Sequence, residues 1–261
     1  MNLALSLAEA MEAVAAQPAS SLSNAWAQVF GVADETPEFY MAASTIFGRF
    51  FELRMRILEA PGLSDRSKSL FSEAVTVLAR FASPATMNSY NQQSISQQKD
   101  KIDLLHLASD ALPDALIVEL NPISVESIID ELERVRGMSR DGDIEPELKR
   151  LIDNAINSLL MIIRGYKMFG PDGAARIYGA LAAELVQRSI QTPPKTDEGK
   201  SALQGMIAAA RKVGAALIFM GATVTGADAL LTHGEHLIDV VTGAPHQEAA
   251  AGAQSSMPAG D

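Results

Sequence analysis

The sequence predicts an all-α protein: a multi-helix bundle followed by an apolar C-terminal helical segment and a disordered tail. Three observations carry that prediction. Much of the 48 % hydrophobic content is alanine, the strongest helix former. Aromatics make up only 5 %, and β-branched residues are not gathered into alternating runs, so a β-rich fold is disfavoured. Apolar residues recur every three or four positions between recognisable caps and breakers.

Along the chain, Leu3, Leu7, Met11 and Val14 set the face of a first amphipathic helix over Met1 to Gln17, which Pro18 breaks. With Glu9 and Glu12 and no basic start, that stretch does not read as a secretory signal. Ser23 or Asn24 is the expected cap of a short helix carrying Trp26, Val29 and Phe30, ended by Gly31. Thr36, Pro37 and Glu38 then supply an N-cap, a first-turn proline and an acid at the positive end of the dipole. The helix they open carries Phe39, Ala43, Ile46, Phe50, Leu53 and Ile57. Phe47, Phe51 and Leu58 widen the stripe, so the helix should be covered on more than one side. The stripe reads as core rather than as a ligand groove. Pro61 and Gly62 stop it.

Ser64 or Asp65 opens the next helix, through Leu70, Val75, Leu78 and Phe81, and Pro84 interrupts it. Asn88 to Gln98 has little to bury and reads as polar helix or loop. Lys101 to Leu112 is helical, with Ile102, Leu105 and Ala108 on one face, as far as Pro113. Ala115 to Leu120 is short and apolar, and without a partner strand it reads as extended chain or a buried helical turn.

From Ser124, the stripe Val125, Ile128, Ile129, Leu132 and Val135 leads to Gly137 as the expected C-terminal cap, with Ser139 to Glu145 as a loop. Pro146 starts a long helix through Leu148, Leu151, Ile152, Ala155, Leu159, Ile162 and Ile163. Gly170-Pro171 turns the chain into another helix with Ala174, Ile177, Leu181 and Leu185, and such a tight joint predicts antiparallel packing. The expected organisation is a bundle over 1–120, a second helical group over 121–191, a linker over 192–200 (TPPKTDEGK), an apolar helical segment over 201–242 and a disordered tail over 243–261. No repeat of fixed period is present.

Charge and composition narrow the function classes. A net charge of −11 with no lysine–arginine cluster makes nucleic acid an unexpected partner. The absence of cysteine excludes disulfides, thiolate catalysis and cysteine-ligated zinc, and fits a cytoplasmic setting. Gly199-Lys200-Ser201 resembles the end of a phosphate-binding loop, but Pro194 stands where the pattern needs glycine. Asp141, Asp143 and Glu145 alternate like the start of a calcium loop, but Pro146 replaces the glycine of the sharp turn. No Gly-x-Ser-x-Gly elbow is present. His106, among leucines, reads as a partly buried structural histidine. Carboxylate pairs such as Asp130/Glu131 read as solvated surface. His233, His236 and Asp239 fall three apart and would share a helix face, which makes them the candidate metal ligands; a chance cluster at a helix end is the better supported reading. No cofactor is expected.

Val213 to Leu231 is nearly uncharged, with Asp228 inside and Arg211-Lys212 before it. About 20 mostly apolar residues span a bilayer, and a basic flank favours the cytoplasmic side. Small residues four apart, such as Ala210 with Gly214 and Gly221 with Thr225, allow close helix approach in lipid or in a soluble core. Gly214, Leu217, Ile218, Phe219, Gly221 and Val224 are therefore the candidate membrane or interface residues. Asp228 opposes insertion by about 2.5 to 3.5 kcal/mol at mid-bilayer and by less near the interface.

The expected function is that of a non-enzymatic helical interaction protein, bacterial in type, working through a protein partner or self-association and held at the inner membrane by 213–231. A membrane-perturbing effector of toxin or antiphage type has this layout. A soluble helical scaffold or adaptor is the alternative, and an enzyme with a site assembled from distant residues, His233 and His236 among them, is the third.

Overall fold

The computed structural model describes residues 2–18, 21–112, 122–191 and 193–219, and the elements among them are all helical. They are α1 (Leu3–Ala15), α2 (Leu22–Phe30), α3 (Pro37–Glu59), α4 (Asp65–Ala82), a 3₁₀ turn (Met87–Ser89), α5 (Gln92–Ser96), α6 (Lys99–Ala111), α7 (Pro122–Asp141), α8 (Pro146–Gln191) and α9 (Asp197–Phe219). The all-α expectation holds. Residues 115–120 and the tail 243–261 lie outside the described residues.

The helix ends follow local chemistry. Thr36 caps α3 by accepting the Phe39 N–H at 3.2 Å, and Ser64 caps α4 by accepting the Ser67 N–H at 3.2 Å. Gly31 closes α2 at φ 70°, a left-handed conformation that costs glycine nothing. Two expected caps are corrected. Ser21, not Ser23 or Asn24, caps α2, because its hydroxyl accepts the Asn24 N–H. Gly137 lies inside α7, which continues to Asp141, and the Gly142 N–H closes onto the Met138 carbonyl at 3.1 Å. The buried face Ile128, Leu132, Val135 and Ser139 runs past Gly137, and its burial outweighs the roughly 1 kcal/mol that glycine costs within a helix.

α1, α3, α4 and α6 form the N-terminal layer, with α2 packed against α1 and α3. Trp26 sits fully buried in it, its indole N–H donating to the Phe81 carbonyl at 2.8 Å and its ring stacked on Phe30 at 5.2 Å. Burying a side chain of this size contributes about 1.5–3 kcal/mol. The Asn2 amide donates to the Ser109 carbonyl at 2.7 Å and ties the start of α1 to the end of α6.

α8 breaks at Gly170, where φ is 67° and ψ 174°. Glu147, Leu151 and Asn154 from the first arm and Glu184 and Arg188 from the second line one cleft. A straight helix would hold Glu147 and Arg188 about 60 Å apart at 1.5 Å per residue, so α8 is an antiparallel hairpin, as the Gly170-Pro171 turn predicts. α7 and α9 pack on both arms' element and on each other, which makes the C-terminal layer a four-rod bundle. The two layers meet where α3 crosses the tip of the hairpin. There the Phe30 and Phe169 rings lie 5.9 Å apart, and Thr45 packs over Gly173. One continuous apolar core runs through both layers.

Candidate functional site

α9 exposes its chemistry in two parts. Ala202, Leu203, Met206, Ala210, Val213 and Leu217 recur at helical spacing and are buried against α7 and α8. The segment before it is anchored: the Lys195 N–H donates to Glu145 Oε1 at 2.8 Å and the Thr196 hydroxyl to the Asp143 carbonyl at 2.7 Å. Lys212 pairs with Glu131 of α7. Gly214 lies under Tyr178, so close that an added Cβ would sit 2.5 Å from the phenol oxygen. The Tyr178 hydroxyl donates to the Ala210 carbonyl at 2.9 Å, and burial pushes its pKa up to about 12 against the opposing pull of Arg211.

Of the residues singled out from sequence, the structure thus brings Gly214 and Leu217 into the core. At the next position the exposure reverses: Leu217 is 1 % exposed, Ile218 45 % and Phe219 85 %. Among the described residues, α9 is the one helix long and apolar enough to cross a membrane, and half of its apolar window is covered by its own bundle. Gly221, Val224, His233, His236 and Asp239 lie outside the described residues. No group of three metal-ligating side chains occurs among the described ones. His106 bonds Glu12 through Nε2 at 3.0 Å, a surface tie between α6 and α1.

A polar knot occupies the joint between the layers. Arg49 of α3 is buried with its guanidinium packed on Gly170, where a Cβ would meet Nη2 at 2.7 Å. Nη1 donates to Glu52 at 2.5 Å, and the Arg49 Nε and the Tyr166 hydroxyl are buried without a partner. Desolvation lowers the Arg49 pKa, and Glu52 offsets part of that effect. Burial, then the Asp172 carboxylate, raises that of Tyr166. The knot ties α3 to the Gly170 turn of α8.

The third feature escaped the sequence reading in part. Phe39, Ile46, Phe50, Leu53 and Ile57 are core as expected, but Phe51 and Leu58 are exposed and Phe47 is only partly covered. The wide stripe on α3 is therefore not covered on every side. Phe47, Phe50 and Phe51 wall a cavity of about 230 Å³ with Val75 and Ala79 of α4. Phe47 and Phe51 meet edge to face at 5.0 Å. Arg54 and Arg80 stand on its lining, and among the described residues neither guanidinium is paired with a carboxylate. The one signal in the sequence is an arginine embedded in a phenylalanine stripe.

Among the described residues, this is an all-α bundle with large apolar side chains left open along α3 and at the end of α9. No family model, no curated protein and no solved structure matches the chain.

Proposed function

We propose that this chain is a non-enzymatic helical interaction protein whose C-terminal apolar segment, 213–231, attaches the helical body to a membrane through its part beyond Leu217. The observation that supports this reading is the reversal at Leu217/Ile218. The bundle covers one face of α9, through Ala210, Val213, Gly214 and Leu217, and on its open side the large apolar Ile218 and Phe219 stand outward, at the point where the sequence continues as an almost uncharged run to Leu231. Large apolar side chains presented together need lipid or protein to cover them. A membrane-perturbing effector is the specific form of this reading.

The test is fractionation of the expressed full chain. It is expected in the membrane pellet, released by detergent and not by salt. A chain carrying Ile218→Asp and Phe219→Asp is expected to shift toward the supernatant. A full chain that stays in the supernatant, monodisperse without detergent, overturns the attachment. That outcome would favour a second reading, a soluble scaffold or adaptor, which the Gly214–Tyr178 contact supports by seating α9 inside the bundle.

A further inference from the structure

α3 and α4 are joined through only residues 60–64, so they run antiparallel with a groove between them. Phe47, Phe51, Met55 and Leu58 follow one another along α3 at spacings of four, four and three. Phe51, Met55 and Leu58 are exposed, and so is Leu70 of α4. At 1.5 Å per residue this apolar row is about 16 Å long, three turns of helix. Its phenylalanine end opens into the cavity of about 230 Å³. That volume falls below the roughly 300–1,000 Å³ of small-molecule pockets and suits an anchoring side chain. A row with a single anchor pocket is the geometry that receives an amphipathic helix through residues at i, i+3, i+4 and i+7.

The charge of the site selects the partner. The chain carries a net −11, yet Arg54 and Arg80 stand at the cavity without a carboxylate partner among the described residues. Two of the four glutamates of α3 and α4 are already engaged, Glu52 with Arg49 and Arg56, and Glu73 with Lys101. An acidic partner is repelled by the surface at large and attracted here, which sets both encounter and register. A symmetric pair of copies would set Arg54 and Arg80 of one against the same arginines of the other, so self-pairing through this face is opposed. We propose that the α3–α4 face is a docking groove for an acidic amphipathic helix of a partner protein. One apolar side chain of that helix fills the Phe47–Phe51 cavity, and its flanking carboxylates meet Arg54 and Arg80. This surface is separate from the α9 end, so the membrane experiment and the one below succeed or fail independently.

The probes are two synthetic helical peptides with the same leucines at i, i+3, i+4 and i+7, one flanked by glutamates and one by lysines. Binding to the full chain is read by fluorescence anisotropy. The glutamate peptide is expected to bind on the order of tenfold more tightly than the lysine peptide, as one or two charge pairs imply. Arg54→Glu with Arg80→Glu is expected to reverse that order, and Phe51→Ser to weaken both peptides. Circular dichroism and the thermal midpoint verify that these exposed-face variants keep the fold. Equal binding of both peptides, or of neither, overturns the proposal. So does a concentration-dependent dimer that Phe51→Asp dissolves, since a second copy would then own the face.

Discussion

Tyr178 shows what a single side chain decides in this protein. Its ring has no exposed surface, its hydroxyl donates to the Ala210 carbonyl, and Gly214 leaves the space in which it lies. Burial favours the neutral phenol and pushes its pKa up to about 12, while the unfolded chain's phenol ionises near its ordinary value of about 10. Above that ordinary value the unfolded state binds fewer protons than the native state, so stability falls as pH rises. The contribution is therefore fully present below about pH 10 and is lost between about pH 10 and 12, by an amount on the order of 2 kcal/mol. Tyr178→Phe should cost about 1 kcal/mol at neutral pH and flatten that alkaline decline. Urea titrations of both chains across about pH 9 to 12 measure the difference, and equal slopes would refute this account. Gly214→Ala, which drives a methyl into the phenol, should cost about 1–3 kcal/mol by overpacking. Gly214 was legible as one of several small residues four apart. Its partner was not, because nothing local links Tyr178 to a glycine on another helix.

At the scale of the element, the end signals were read well where cap and helix are neighbours in sequence, as at Thr36, Ser64 and Gly31. They were misread at Gly137, because a glycine tells where a helix can stop and not where its buried face stops. That correction yields a prediction. Gly137 lies within α7, at a negative φ, and a Cβ there would meet nothing within 4 Å. Gly137→Ala should therefore stabilise the protein by about 0.5–1 kcal/mol through helix propensity alone, seen as a raised thermal midpoint. Gly170 is the opposite case. Its left-handed φ and the Arg49 guanidinium against it leave no room for a side chain, so the hairpin of α8 turns on that glycine. The reversal itself was visible in Gly170-Pro171, since proline cannot donate back to the preceding turn. The crossing of α3 over the tip was not, since it joins residues more than a hundred positions apart.

The whole molecule depends on the joint between its layers. Phe169 is completely buried at the hairpin tip and faces Phe30 of α2. Phe169→Ala should cost about 3–5 kcal/mol, the range for a large-to-small change in a packed core. It should also uncouple the layers. Trp26, the sole tryptophan, reports on the N-terminal layer, whereas far-ultraviolet circular dichroism reports on helices throughout. The two signals are expected to coincide during denaturation of the parent chain, because one core runs through both layers, and to separate in the variant. Coincident transitions in the variant would show that the joint does not hold the layers together.

The helical class, most element positions, the α8 reversal and the apolar character of the C-terminal segment followed from the sequence alone. Helix propensity, caps and three-to-four spacing act between residues a few positions apart and leave their mark in the chain as written. Only the tertiary structure decided which side of each apolar stripe is covered. Two stripes of equal appearance came out differently: Leu217 is enclosed and Phe219 faces outward, and Phe50 is core while Phe51 borders an open cavity beside Arg54. Burial is set by which helix packs alongside, and that depends on contacts between residues far apart in sequence, which a periodicity does not encode.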